Sequence, residues 1–229
     1  MSTQSSSSPI PLRIDFVSDV SCPWCAIGLQ SLQQAIERVG DEIAVDLHFA
    51  AFELNPQMPP EGQDAIEHLT VKYGISAEQA ISNGEAIRQR GAQLGFVFDM
   101  GRRRKVYNTF DAHRLLYWAG QQSPSQQLAL KQTLLRAYFS DGQDISSPEI
   151  LVGLAAQAGL DGDRAREVLD SGRYAKEVRG QEELNTVRGI NAVPAVIIDR
   201  HLLVQGGQPP AVFEQALRQA AGKRSAVSP

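Results

Sequence analysis

Ser21-Cys22-Pro23-Trp24-Cys25 carries the only two cysteines of the chain, two residues apart. Just before it, residues 12–17 (L-R-I-D-F-V) alternate apolar and polar, the period-two pattern of a half-buried strand. Just after it, Ile27, Leu32, Ile36 and Val39 recur at mostly helical spacing until Gly40-Asp41 ends the run. Residues 43–49 (I-A-V-D-L-H-F) read as a second strand. The cysteines therefore stand at the strand-to-helix junction of a β-α-β unit, whose right-handed crossover makes the two strands parallel.

Working outward, Phe52-Glu53-Leu54-Asn55-Pro56 leads into a proline-rich loop that closes at Pro59-Pro60. From about residue 61 to 188 the periodicity is almost only helical. Helices are expected over 65–73, stopped by Gly74, and from a Ser76/Gln79 capping box to about 94. Others are expected from an Asn108/Asp111 cap to 118, over 126–139, from Ser147-Pro148-Glu149 to 158, over 161–170 and over 174–187. Strand character returns at 195–198, turns at Asp199-Arg200 and runs back over 201–205, a hairpin broken by Gly206-Gly207. Pro209-Pro210 opens a last helix with Val212, Phe213, Ala216 and Leu217 on one face. The order is β-α-β, a helical block, then β-β-α. If both ends share one sheet, the block over 56–188 is an insertion in a discontinuous α/β domain formed by 11–55 and 189–222.

At 229 residues, 42% hydrophobic and 21% charged, the chain is long enough for a sizeable core and ordinary in composition. A net charge of −4 gives no footing for nucleic acid, and the densest basic run, residues 102–105, reads as a solvated loop. No apolar run reaches the ~18 residues of a membrane span. The Ser-rich start lacks the basic and apolar regions of a secretory signal. Residues 1–10 and 223–229 are expected to be disordered tails, and the cytosol is the expected compartment. There a CxxC pair points to catalysis or metal binding rather than to a lasting structural disulfide.

Zinc needs two further ligands at short spacing. No third cysteine exists, and His48, His68, His113 and His201 are scattered, so no metal is expected. A thiol attacks only as thiolate, and a free cysteine near pKa ~8.5 is mostly protonated at neutral pH. A helix N-terminus favours the anion, and Pro23, which has no N–H, suits the first turn. Cys22 is then the exposed attacking thiol and Cys25, about one turn further in, the more buried resolving thiol. Trp24 between them shields the pair or contacts substrate. A second feature lies some 170 residues away: Val193-Pro194 stands immediately before the returning strand. A cis peptide there would set the Val193 backbone beside the sulfurs, where an incoming peptide or thiol can hydrogen-bond to it; the alternative is an ordinary trans proline opening a strand. His113 is read either as a base or cation near the thiols or as a structural histidine orienting its helix. Asn55 is either a substrate contact beside Glu53 or the start of a turn with Pro56. Gly207 and Gln208 either border the pocket or simply break the hairpin.

Taken together, S-C-P-W-C after a strand, a long helical insertion and V-P before a hairpin resemble the DsbA-like branch of the thioredoxin superfamily, from about Pro11 to Ala221. Phe52-Glu53-Leu54-Asn55-Pro56, Asn108-Thr109-x-x-Ala112-His113-Arg114 and Gly206-Gly207-Gln208-Pro209-Pro210 resemble its FrnE-like subgroup. The resemblance implies a thioredoxin-like β-α-β…β-β-α core with a large all-helical insertion. It implies thiol–disulfide exchange with Cys22 as nucleophile, Cys25 resolving and Pro194 as the cis-proline. It also implies thiol or disulfide substrates, protein or small-molecule, no resident cofactor, and glutathione or a thioredoxin-type protein as a redox partner. The subgroup is similar as well to the 2-hydroxychromene-2-carboxylate isomerases and kappa-class glutathione transferases, which usually carry Ser in the place of Cys22. A glutathione-dependent isomerase or transferase is therefore the second reading, and a chaperone or binding module without catalysis the third.

Overall fold

The computed structural model describes residues 8–227, with side chains as far as Arg224. Four strands form the main sheet: β1 (Ile10–Ser18), β2 (Ile43–Ala51), β5 (Ala195–Ile198) and β6 (Leu202–Gln205), in the order β2-β1-β5-β6. β1 and β2 are parallel, joined by α1 (Pro23–Val39), while β5 runs antiparallel to both β1 and β6. The two ends of the chain thus share one sheet, with β1 at its centre between an early and a late strand. Leu12, Ile14 and Phe16, two apart along β1, are all fully buried, as the alternation requires. The β5–β6 turn places Asp199 and Arg200 at φ 49 and 64, with His201 N–H donating to the Ile198 carbonyl at 3.1 Å.

Between β2 and β5 come α2 (Ala65–Tyr73), α3 (Ala77–Gln93), α4 (Phe110–Gln122), α5 (Pro124–Phe139), α6 (Pro148–Gln157), α7 (Gly162–Asp170) and α8 (Ala175–Val187). Local signals start and stop them. Gly74 ends α2 in the left-handed region, and Ser76 with Gln79 forms a reciprocal capping box on α3. Ser147 and Asp161 accept from the backbone N–H of Ile150 and Arg164 at the starts of α6 and α7.

Three expectations are corrected. The insertion is not wholly helical: β3 (Gln63–Asp64) pairs antiparallel with β4 (Lys105–Val106), a ladder too short for any sequence period to announce. Asn108 is not the cap of α4. That position is Thr109, and the Asn108 carboxamide oxygen accepts from Phe110 N–H at 2.9 Å as a turn before the helix. The last helix, α9 (Pro210–Val227), continues into the expected C-terminal tail, of which residues 228 and 229 lie outside the described residues. Ala220 and Ala221 are buried, and Arg224 bonds the Pro11 carbonyl and lies 3.6 Å from Asp199, which ties this turn to β1 and the hairpin. At the other end β1 already takes in Ile10; the rest of the expected leader, up to residue 7, lies outside the described residues.

The sheet and the helical block share one core. A continuous cluster runs from Leu12, Ile14 and Phe16 through Phe49 to Leu115, Leu134 and Phe139. β2 is an edge strand, and an open edge exposes unpaired backbone groups. Here the block covers it with carboxamides. Gln127 of α5 accepts from Phe49 N–H (3.0 Å) and donates to its carbonyl (3.2 Å). Gln181 of α8 accepts from Ala51 N–H (3.2 Å), and Asn185 donates to the Ala51 carbonyl (3.1 Å). Gln127→Leu leaves both Phe49 groups buried and unpaired, so a loss of roughly 2–4 kcal/mol in urea unfolding is expected, at about 1–3 kcal/mol per orphaned group.

Arg114 does a similar service elsewhere. Its buried guanidinium donates to the carbonyls of Val168, Leu169 and Arg173 around the C-terminal end of α7, and to Asp111 at 2.6 Å. Arg114→Met is expected to lower stability by about 3 kcal/mol, read as a fall in melting temperature, since it strands several buried acceptors at once.

Candidate active site

β1 ends at Ser18, and the chain turns through Asp19, Val20 and Ser21 into α1. Cys22 is the N-cap of α1 and Pro23 opens its first turn. Cys25 N–H donates to the Cys22 carbonyl at 3.1 Å, and Ala26 N–H to the same oxygen at 3.3 Å, so Cys25 lies one tight turn along. Both thiols are free.

Cys22 is less open than expected. Only 4% of it is accessible, against 0% for Cys25. The cause is the facing loop: the Cys22 thiol donates to the Val193 carbonyl at 3.7 Å, and the Val193-Pro194 peptide is cis. Pro194 is buried, and its carbonyl accepts from Gly206 N–H at 2.8 Å, which fixes the loop to the end of the hairpin. Val193 is partly exposed beside the sulfur. Trp24, in contrast, is 45% exposed, so its ring is presented to solvent at the mouth of the site.

Two glycines set how closely these walls approach. A Cβ on Gly28 of α1 would stand 3.0 Å from Pro194 Cγ, and one on Gly207 would stand 3.1 Å from the Trp24 ring and from Ile27. Gly207 thus borders the site, as one reading of the sequence had it. Gln208 does not reach the sulfurs: its side chain folds back and donates to the Gln205 carbonyl at 2.8 Å. Gly28→Val is expected to push Pro194 away from α1 and to slow thiol exchange several-fold while the chain stays folded, checked by exchange rate alongside circular dichroism.

Behind the cysteines lies a charge the sequence reading passed over. Asp19 is fully buried and accepts from Leu54 N–H (2.7 Å), Ser21 N–H (3.2 Å) and the Ser21 hydroxyl (2.9 Å), with His113 Nε2 at 3.4 Å. Burial pushes its carboxyl up, but the bond and charge of His113 and the two N–H groups outweigh that and hold it at about 2. His113 is therefore a structural partner of Asp19, anchoring α4 against the β1–α1 turn. Asn55 begins a turn, its carbonyl accepting from Met58 N–H at 3.0 Å. Its side chain accepts from Lys72 Nζ at 2.7 Å, and the same ammonium donates to the Leu54 carbonyl at 2.8 Å. Asn55 thus ties α2 to the loop that covers Asp19.

Burial, and then the proximity of Cys22, push the Cys25 thiol well up. Glu53 is buried beside this shell and paired with Arg179, whose guanidinium stacks over the Phe110 ring at 3.9 Å. Burial and the neighbouring Glu182 raise the Glu53 carboxyl against the pull of Arg179. Lys131 of α5 is fully buried, and its ammonium has no hydrogen-bond partner. Its signal in the sequence is its place on the apolar face of α5, with the buried Gln127, Leu134 and Leu135 one turn away on either side. No cluster of metal-ligating side chains exists among the described residues.

The profile of the DSBA-like thioredoxin domain matches residues 13–218. A probable DsbA oxidoreductase of Streptomyces coelicolor is 36% identical in sequence and superposes with a TM-score of 0.86, over 93% of this chain and 91% of that one. The cytosolic disulfide reductase DsbM of Pseudomonas aeruginosa, solved with GSH, is similar at 20% identity and a TM-score of 0.60, over 90% of this chain and 99% of that one. A 2-hydroxychromene-2-carboxylate isomerase is similar at 14% identity and a TM-score of 0.70, over 95% and 100%. The last two likenesses are likenesses of fold.

Proposed function

Because this chain belongs to the DSBA-like thioredoxin domain family and has its fold, we propose that it is a thiol–disulfide oxidoreductase working through Cys22 and Cys25. The observation that carries this reading is the pairing of Cys22, as N-cap of α1, with Cys25 one turn behind it and the Val193 carbonyl in front. A substrate thiolate attacks the Cys22 sulfur of the oxidised pair, the Cys22–Cys25 bond breaks, and Cys25 leaves as thiolate. A second substrate thiol then resolves the mixed disulfide, and the pair is left reduced. In the reductive direction the Cys22 thiolate attacks a substrate disulfide, and Cys25 resolves the intermediate by attacking Cys22.

The roles follow position. Cys22 is the nucleophile and Cys25 the resolving thiol. Val193 and Pro194 form the wall against which the substrate chain aligns, and Pro23 and Trp24 form the open side. Substrates are protein or small-molecule thiols and disulfides, glutathione among them. The proposed setting is the cytosol, with reduction or isomerisation as the work. The support for this is that both cysteines of the chain lie in the C-x-x-C pair, with none left over for a structural disulfide. No helix among the described residues is long and apolar enough to cross a membrane.

The presence of Cys25 favours dithiol exchange over a glutathione-dependent isomerase, which needs only one thiol or hydroxyl at the Cys22 position. Cys22→Ser separates the two. Loss of disulfide exchange with glutathione-linked substrates supports the oxidoreductase. Full retained turnover of a small glutathione conjugate by the Ser variant would establish the isomerase or transferase reading instead.

A further inference from the structure

Lys131 of α5 has no part in the scheme above. It is fully buried, and no acceptor among the described residues meets its ammonium. An isolated buried ammonium is costly, and buried charges are as a rule paired. No carboxylate pairs with this one. Asp19 already accepts from Leu54, Ser21 and His113. Burial pushes the Cys25 thiol well up, so at neutral pH it carries no charge. Lys131 instead lines a small cavity with room for about one water-sized centre. Its other polar walls are His113 and Tyr117 of α4 and Gln181 of α8, and Phe49 of β2 closes one side with its ring 5.8 Å from the Lys131 Nζ. No Asp or Glu lines it. The Gln181 oxygen is taken by Ala51 N–H at 3.2 Å, so what the amide has left to offer is its N–H donors. Tyr117 adds a hydroxyl, and both residues are partly exposed, which opens the cavity towards solvent.

We propose that this cavity is a halide site, filled by chloride under ordinary conditions, with Lys131 as the counter-charge. The proposal stands apart from the oxidoreductase reading. The wall supplies a cation and neutral donors and no negative charge, which suits an anion. Its size admits a single-atom ion and excludes sulfate, phosphate and organic carboxylates. Away from water the attraction between the two charges is weakly screened, so the ion offsets much of the cost of burying the amine. The titratable groups around the ammonium are His113 and Tyr117 of α4, Asp19 of the β1–α1 turn, and Cys25 and Cys22 of α1. Burial lowers the proton affinity of the amine, and Cys25, Asp19 and Cys22 raise it. A bound chloride acts in the same direction as these three and holds the amine as ammonium. The place of the site gives it a consequence. Gln127, one turn before Lys131, and Gln181 are the residues that fasten α5 and α8 to the open edge of β2. A chloride among α4, α5, α8 and β2 therefore adds to the hold of the helical block on the sheet.

The test is thermal unfolding of the full chain, with both cysteines reduced, in graded chloride at constant ionic strength. Gluconate, too large to enter the cavity, makes up the balance. The wild-type melting temperature is expected to rise by roughly 3–6 °C for each tenfold increase in chloride above the dissociation constant. Lys131→Met keeps the length, removes the charge and should fold, since it puts an apolar chain in an apolar surround. Its melting temperature is expected not to respond to chloride. A flat response in the wild-type chain, or an equally steep one in Lys131→Met, would overturn the proposal. A second measurement does not depend on the variant: crystals of the wild-type chain grown in bromide are expected to show an anomalous peak in the cavity, within hydrogen-bond reach of the Lys131 Nζ. An ordered water there in place of bromide would overturn the proposal as well, and this map decides alone if Lys131→Met does not fold.

Discussion

Cys22→Ser is expected to abolish thiol–disulfide exchange, by on the order of a thousandfold or more, because no other thiol can take its place as nucleophile. Cys25→Ser should behave differently. Cys22 still attacks, but nothing within the chain resolves the product, so the protein accumulates as a mixed disulfide with whatever it has attacked. Intact mass spectrometry after incubation with oxidised glutathione distinguishes the two: no adduct on Cys22→Ser, one persistent adduct on Cys25→Ser. The asymmetry comes from position. Cys25 is sealed behind the first turn of α1, while Cys22, although only 4% accessible, caps that helix and faces the Val193 carbonyl. A persistent adduct on Cys22→Ser would reverse the assignment of attacking and resolving sulfurs.

The second large effect belongs to Asp19. Asp19→Ala removes the acceptor for Leu54 N–H and for both donors of Ser21, and leaves His113 buried without its partner. A loss of roughly 3–5 kcal/mol is expected, the cost of breaking one side of a buried, hydrogen-bonded pair, read as a shift in the urea midpoint. Against a total of about 5–15 kcal/mol for a domain, that is enough to unfold a marginal one. The same group gives a pH dependence. Its carboxyl titrates at about 2 in the fold against an ordinary 3.8. A folded pKa below the unfolded one means stability that is fully present above about pH 4 and is lost as pH falls towards 2. The difference corresponds to roughly 2–3 kcal/mol. Asp19→Asn should flatten this acid limb. An unchanged acid limb in Asp19→Asn would show that the carboxylate is not the group responsible.

Asp19 carries no local signal of its burial. It sits in Val17-Ser18-Asp19-Val20, where a carboxylate after a strand looks like the polar start of a loop. Only the return of Leu54 and His113 from distant parts of the chain turns it into a buried hub. Lys131 is a similar case: a lysine in a helix is usually solvated, and its burial depends on packing against Phe49 of the distant β2. Local signals, by comparison, carried far. Gly74, the Ser76/Gln79 box and Ser147-Pro148 each mark a helix end where the structure has one, because capping is satisfied within a few residues. Val193-Pro194 was legible for the opposite reason. Its part in the site depends on long-range packing; the residues alone left a cis and a trans reading open, and the resemblance to a known family favoured the cis one, which the structure has. The misreadings follow the same division. The β3–β4 ladder is set by pairing across forty residues, and the last turns of α9 by Arg224 reaching Pro11 and Asp199.

The covered edge of β2 shows how the insertion and the sheet come to form one site. Gln127, Gln181 and Asn185 fix α5 and α8 to the backbone of Phe49 and Ala51. That contact also sets Lys131, one turn on from Gln127, beside the Phe49 ring. The helical block reaches the β1–α1 turn as well, through His113 of α4 on Asp19.

The most direct test is equilibration of the pure chain in glutathione buffers of graded ratio, followed by quenching and intact mass. The expected result is a reversible conversion between a dithiol and a form lighter by two hydrogens, linked Cys22 to Cys25, with a single midpoint that defines the working direction. A chain that stays a dithiol across the whole range, or stops at a glutathione adduct on Cys22 that never closes, would contradict dithiol exchange.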